Sequence, residues 1–234
     1  MKHYKTLRTA LLIACTAAAS QVHALVVDFE ISDIGYIGTF VDGSYNGPYD
    51  PNPNATAGVF AGQFDPDLYY EDDYAYDSQA IFEFGLSNRP NYNAIKSATF
   101  SFDVIDMEQT NYFSGCFNYG ACPVPEQLEL YGFSGDGVVT TSDYNAGSLL
   151  TTFDLPSLIN TTIDFDVTGL TKSLLLADND FIGFNFKTTS VGGVWFPEGT
   201  LTVAYSVPEP SSFALLALAL AGIGVQRRAK AHGS

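Results

Sequence analysis

Apolar and polar residues alternate along several separate segments of this chain, and alternation at period two marks strands that put one face against a core. Phe82, Phe84 and Leu86 share a face with Glu83 opposite, and Phe100, Phe102 and Val104 alternate with Ser101 and Asp103. Leu128 and Leu130 bracket Glu129. Ile163, Phe165 and Val167 alternate with Asp164 and Asp166, and Ile182, Phe184 and Phe186 with Gly183 and Asn185. Leu201, Val203 and Tyr205 make a last strand that runs into Val207. Clusters of Gly, Pro, Asn and Asp, such as Ser134-Gly135-Asp136-Gly137, separate these runs. Many short strands with turns between them imply an all-β chain folded as an antiparallel β-sandwich. One short helix is predicted from Gly169 to Ala177: Leu170, Leu174 and Ala177 fall at helical spacing, and Thr168 is placed to cap the free amides at its start.

The two ends follow a different rule. Lys2, Lys5 and Arg8 precede an apolar stretch that fades by Ser20, and Val22-His23-Ala24 offers small or compact residues for a signal peptidase. That order describes a secretory signal peptide over residues 1–24, cut after Ala24. Leu12-Ile13-Ala14-Cys15 also reads as a lipobox, which would make Cys15 a lipidated first residue. It leaves only about six apolar residues after Arg8, at or below the ~7–15 of a signal core. At the other end, residues 207–234 comprise Val207-Pro208-Glu209-Pro210-Ser211-Ser212, an apolar run over 213–225 and a basic end over 226–234 holding Arg227, Arg228 and Lys230. A helix over that run reaches about 20 Å against a hydrocarbon core of ~30 Å, so it would thin the bilayer or snorkel its flanking arginines. The basic end puts the tail on the cytoplasmic side and the body outside. A buried core helix is the other reading, but such a helix rarely lacks a polar face.

Between the ends, residues 25–206 make one domain. This body holds the bases Arg89, Lys96, Lys172 and Lys187 against 25 of the 26 acids, Glu209 being the one outside, so it is far more acidic than the chain-wide net charge of −16. No basic footprint exists for phosphates, which excludes nucleic acid as a partner. Neutral glycans and divalent cations remain compatible. The histidines are His3, His23 and His232, none of them in the body. A body without histidine lacks a Ser-His-Asp or Cys-His site and the usual zinc ligands. It is therefore read as no enzyme, the alternative being a surface glycosidase using a carboxylate pair. Cys116 and Cys122 would close a small disulfide loop in an oxidising compartment, worth roughly 2 kcal/mol, with two free thiols as the alternative.

Two candidate sites stand out. Asp65, Asp67, Glu71, Asp72, Asp73 and Asp77 form the densest acidic cluster, and hard oxygen ligands in a loop suit calcium. Without EF-hand spacing, a solvated acidic loop is the plainer reading. No other cofactor is expected. Tyr69, Tyr70, Tyr74 and Tyr76 crowd the same stretch, and Trp195 and Phe196 lie near the last strand. Exposed rings beside carboxylates offer a platform for a sugar face, so Tyr69, Tyr70, Tyr74 and Trp195 are candidate glycan-binding residues, although a single tryptophan more commonly packs in a core.

The tail, with Pro208-Glu209-Pro210, the apolar run and the Arg-rich end, resembles a PEP-CTERM sorting signal. That resemblance implies an exosortase-type enzyme as a partner, contact with the membrane through the C-terminal helix, and a place at the cell envelope or surface of an exopolysaccharide-producing bacterium. The body resembles DNRLRE-type jelly-roll domains over roughly residues 78–206. The resembling residues are Ala80-Ile81-Phe82-Glu83-Phe84-Gly85-Leu86, Ile95-Lys96-Ser97-Ala98-Thr99-Phe100, Ile163-Asp164-Phe165-Asp166-Val167-Thr168 and Ile182-Gly183-Phe184-Asn185-Phe186. Residues 25–77 fit that pattern poorly, and Leu128 to Gly147 reads as an insertion. The likeness implies a jelly-roll-like sandwich that binds polysaccharide.

Overall fold

A computed structural model describes residues 24–42, 45–48, 58–64, 75–86, 95–106 and 123–207. The strands in chain order are β1 (Ala24–Phe29), β2 (Ile31–Asp42), β3 (Tyr45–Pro48), β4 (Val59–Phe64), β5 (Ala75–Gly85), β6 (Ile95–Asp106), β7 (Gln127–Phe133), β8 (Ser148–Asp154), β9 (Thr161–Asp166), β10 (Phe181–Thr188), β11 (Gly192–Phe196) and β12 (Gly199–Ser206), with one α-helix, α1 (Thr168–Leu176). Residues Val26–Asn91 and Ile95–Ala204 form one compact unit. The other takes in Met1–Leu25, Tyr92–Ala94 and Tyr205–Ser234, of which only residues 24–25 and 205–207 are described. The chain is all-β, an antiparallel sandwich with a single helix among the described residues.

Strand order runs β1-β12-β6-β11-β4-β5-β10-β7-β8, with β9 added at β6 and β2 at β5. The strand β6 serves both layers. Its residues Thr99 to Val104 pair with Asp166 to Thr161 of β9, whereas Ile105 and Asp106 pair with Trp195 and Val194 of β11. One edge of β5 is taken by β2. The other is shared, by β10 over Ala80 to Gly85 and by β4 at Tyr76 and Ser78.

The alternating residues meet as expected between the layers. Phe82 and Phe84 of β5, Phe100 and Phe102 of β6, Phe184 and Phe186 of β10 and Phe196 of β11 are all buried. Phe100 stacks on Phe184 with ring centroids 4.1 Å apart and planes 9° apart, and Phe186 stacks on Phe196 at 4.4 Å. Edge-on contacts tie Phe82 to Phe100 and Phe84 to Phe184. Each such ring removes a large apolar area from water, and favourable ring pairs add about 0.5–1.5 kcal/mol beyond burial.

Two local expectations change. The helix starts at Thr168, one residue early, and Val167 rather than Thr168 is its N-cap. Asp166 Oδ1 accepts the Thr168 amide at 2.9 Å, while the Thr168 hydroxyl turns to β6 and accepts the Ala98 amide at 2.8 Å. The hydroxyl therefore joins helix to sheet instead of capping. The second change is the segment from Leu128 to Gly147, read as an insertion. Its first part is β7, an inner strand between β10 and β8, with Leu128 and Leu130 fully buried.

Candidate functional site: a buried carboxylate beneath a loop

Alternation along β5 and β10 implies a solvated outer face carrying Glu83, Gly183 and Asn185. The structure covers that face. Residues Ser134 to Gly147 fold back over it, so Glu83, Ile81 and Asn185 are as buried as the phenylalanines on the other side. Ile81, Ile37, Phe133 and Val139 form a small apolar cluster there, with Tyr144 and Ala146 packed against it. The covered face therefore carries buried polar side chains, Gln79, Glu83 and Asn185 among them.

Glu83 sits at the centre of this cover. Its pairing partners in register are Asp33 on β2 and Gly183 on β10. The carboxylate takes the Gly137 amide on Oε2. Gly137 has φ +93°, a backbone region that side chains other than glycine's rarely adopt. Gly135 is required by proximity: a Cβ there would lie 2.7 Å from the Glu83 carboxyl carbon. Oxygen Oε1 is buried and has no hydrogen-bond partner. Burial pushes Glu83 up to about 7, with the charges of Asp143 and Asp136 adding to the rise and the backbone amides of Gly137 and Asp136 opposing it. Burial likewise raises Asp143, against the hydrogen bonds it receives from Thr140.

Other contacts tie the loop down. Asp33 Oδ2 accepts the Val139 amide at 2.8 Å and Asp143 Oδ2 the Thr140 amide at 2.7 Å. The Gln79 side chain exchanges two bonds with Asn145, donating to its Oδ1 at 3.1 Å and accepting its amide at 3.0 Å. Asn185 Nδ2 reaches both Gln79 Oε1 (2.8 Å) and the Asp143 carbonyl (3.1 Å). At the rim, Lys187 Nζ donates to Asn145 Oδ1 at 2.8 Å and lies 4.2 Å from the centre of the Tyr131 ring. Burial lowers the Lys187 amine, with Asp77 and Glu129 opposing.

Few of the residues singled out from sequence enter this region. Asp77 does: its Oδ2 accepts the Tyr144 hydroxyl at 2.7 Å. Asp65, Asp67, Glu71, Asp72, Asp73, Tyr69, Tyr70 and Tyr74 lie outside the described residues, as do Cys116, Cys122, residues 1–23 and the tail from Pro208 onward. Trp195 is only 8% exposed on β11, so its ring belongs to the core rather than to an open sugar platform. Among the described residues no group of three or more His, Cys, Asp or Glu is placed to hold a metal ion, and no helix is long and apolar enough to cross a membrane. Glu83, Asp33, Asp136, Asp143, Gln79 and Asn185 were not legible as a set. The one signal was Gly135-Asp136-Gly137, which reads as ordinary turn punctuation.

Fold and site together define an acidic β-sandwich whose most unusual feature is a carboxyl group sealed under a glycine loop. Residues 206–228 match the PEP-CTERM protein-sorting motif. That motif marks an exported protein associated with the cell envelope and recognised by an exosortase-type enzyme. No curated protein matches the chain.

Proposed function

We propose that this protein is a non-catalytic component of the cell surface or exopolysaccharide matrix, held at the membrane by its C-terminal helix before processing, with the sandwich as its polysaccharide-contacting part. The sorting motif over residues 206–228 carries the reading, because it follows the last strand almost directly. An acidic body and its likeness to DNRLRE-type jelly-roll domains add support for an extracellular role. With the loop down, Glu83 itself is not placed to serve as a glycosidase acid. A general acid needs a raised pKa and access to the glycosidic oxygen. Glu83 has the first but is 0% exposed.

The test has two arms. Deleting residues 213–230 should move the protein from the membrane fraction to the soluble fraction, and a truncated protein still in the membrane would refute anchoring by the tail. Incubating the released protein with the host's polysaccharide should give retention without new reducing ends. New reducing ends would favour the glycosidase.

A further inference from the structure

We propose that Ser134 to Gly147 is a proton-operated lid on the outer face of β5 and β10, closed while Glu83 carries a proton and loosened when Glu83 ionises.

The geometry couples the loop to the carboxyl group. Glu83 is fully buried, and Gly135 and Gly137 lie directly over its carboxyl group. With the lid down, one oxygen accepts the Gly137 amide and the other has no partner. A neutral acid suits that arrangement: the proton sits on Oε1 and Oε2 stays an acceptor. An ionised carboxylate leaves a bare charged oxygen in a dry site, a costly state unless water enters. Lifting the lid would let water reach it.

The surrounding charges act in the same direction. From β2, Asp33 stands opposite Glu83 in register; from the lid come Asp136 and Asp143; from β10 the opposing residue is Gly183, which carries no charge. The base on β10, Lys187, is engaged by Asn145 and Tyr131 at the rim. Lys96 on β6 and Lys172 on α1 are exposed. Ionising Glu83 therefore adds a negative charge beside Asp136 and Asp143, whose charges already raise it.

An opened lid restores an ordinary carboxyl environment, so ionisation and opening favour one another reciprocally. Each pH unit between the ordinary value of 4.5 and about 7 should favour opening by about tenfold. Lifting the lid uncovers Ile81, Gln79 and Asn185, a mixed apolar and amide surface on the sheet. The device would shift the lid toward opening between acid and neutral pH.

Hydrogen exchange on the full chain in detergent tests this between pH 5 and 9, with intrinsic rates divided out. Protection of the Gly137, Val139 and Thr140 amides should fall with rising pH and level off above about 7, while β10 amides keep theirs. In Glu83→Gln, which holds the neutral shape, that fall should largely vanish, leaving the smaller contribution of Asp143. An equal fall in wild type and Glu83→Gln, or no fall in wild type, overturns the proposal. Should Glu83→Gln not fold, Asp136→Asn serves, since its side-chain oxygen still accepts the Val138 amide. It should show a smaller loss of lid protection than wild type. Carbon-13 titration of the wild-type Glu83 carboxyl at an ordinary carboxylate pH would equally overturn it.

Discussion

Asp33 and Glu83 face each other in register across the β2–β5 pair, one position beyond the irregularity between Ile31 and Asp33. Like charges directly opposite on neighbouring strands repel. The structure separates their tasks. Asp33 spends both oxygens on backbone amides, those of Ile34 and Val139, whereas Glu83 keeps one oxygen without a partner. Glu83 is pushed up to about 7, first by burial.

Stability should therefore fall as pH rises from about 4.5 to about 7. The unfolded chain releases the Glu83 proton near its ordinary value of 4.5, the folded chain near 7, so between them the folded state binds more protons. The loss amounts to about 3 kcal/mol at most. Glu83→Gln should remove most of this slope and leave the protein more stable than wild type at pH 8. Denaturant unfolding of both proteins at pH 5 and pH 8 checks it, and parallel slopes would count against a buried neutral acid.

Gly135→Ala should destabilise by about 1–3 kcal/mol, because its Cβ meets the Glu83 carboxyl group at 2.7 Å. Combining it with Glu83→Ala should recover part of that cost, since the truncated side chain vacates the space. A double-mutant cycle reads the coupling. Additive effects would place the cost of Gly135→Ala elsewhere in the loop.

Phe184→Ala should cost about 3–5 kcal/mol, the usual range for deleting a buried ring, and Phe100→Ala a similar amount. Their rings stack at 4.1 Å, so the double mutant should fall short of the sum. Calorimetric melting of the four proteins measures it. A negligible loss from Phe184→Leu, which keeps most of the apolar volume, would show that the stacked ring adds little beyond its volume.

Calcium remains a prediction for the acidic cluster from Asp65 to Asp77. A divalent cation would relieve repulsion among its carboxylates, and binding the folded state alone would raise stability by mass action. Thermal unfolding should shift upward in millimolar calcium and return with chelator. The shift should shrink when Asp72 and Asp73 become Asn. Asp77 contributes less than its charge suggests, as one of its oxygens already takes the Tyr144 hydroxyl. Identical melting with calcium and with chelator at matched ionic strength would leave a solvated cluster.

Much of this protein is decided locally. Period-two alternation at Phe100, Phe102 and Val104 dictates a strand with one apolar face, and Ser101 and Asp103 on the other side stay partly exposed, as the pattern demands. The sorting motif, too, is a short linear signal readable without a fold. Thr168 shows where local reading begins to fail. A threonine before a helical run is a good cap by its chemistry, but the strand beside it offers the Ala98 amide, and the hydroxyl goes there instead. The failure is complete at Glu83. Alternation puts it on the outer face, and nothing in its own segment says that residues more than 50 positions later return to bury it. Its neighbours Asp33, Asp136 and Asp143 are spread over more than 100 positions of chain. Backbone periodicity is a property of a few consecutive residues, so the sequence alone determined the strands and their inward faces. Burial, and with it the protonation state of a carboxyl group, depends on what folds over it, and only the tertiary structure decided that.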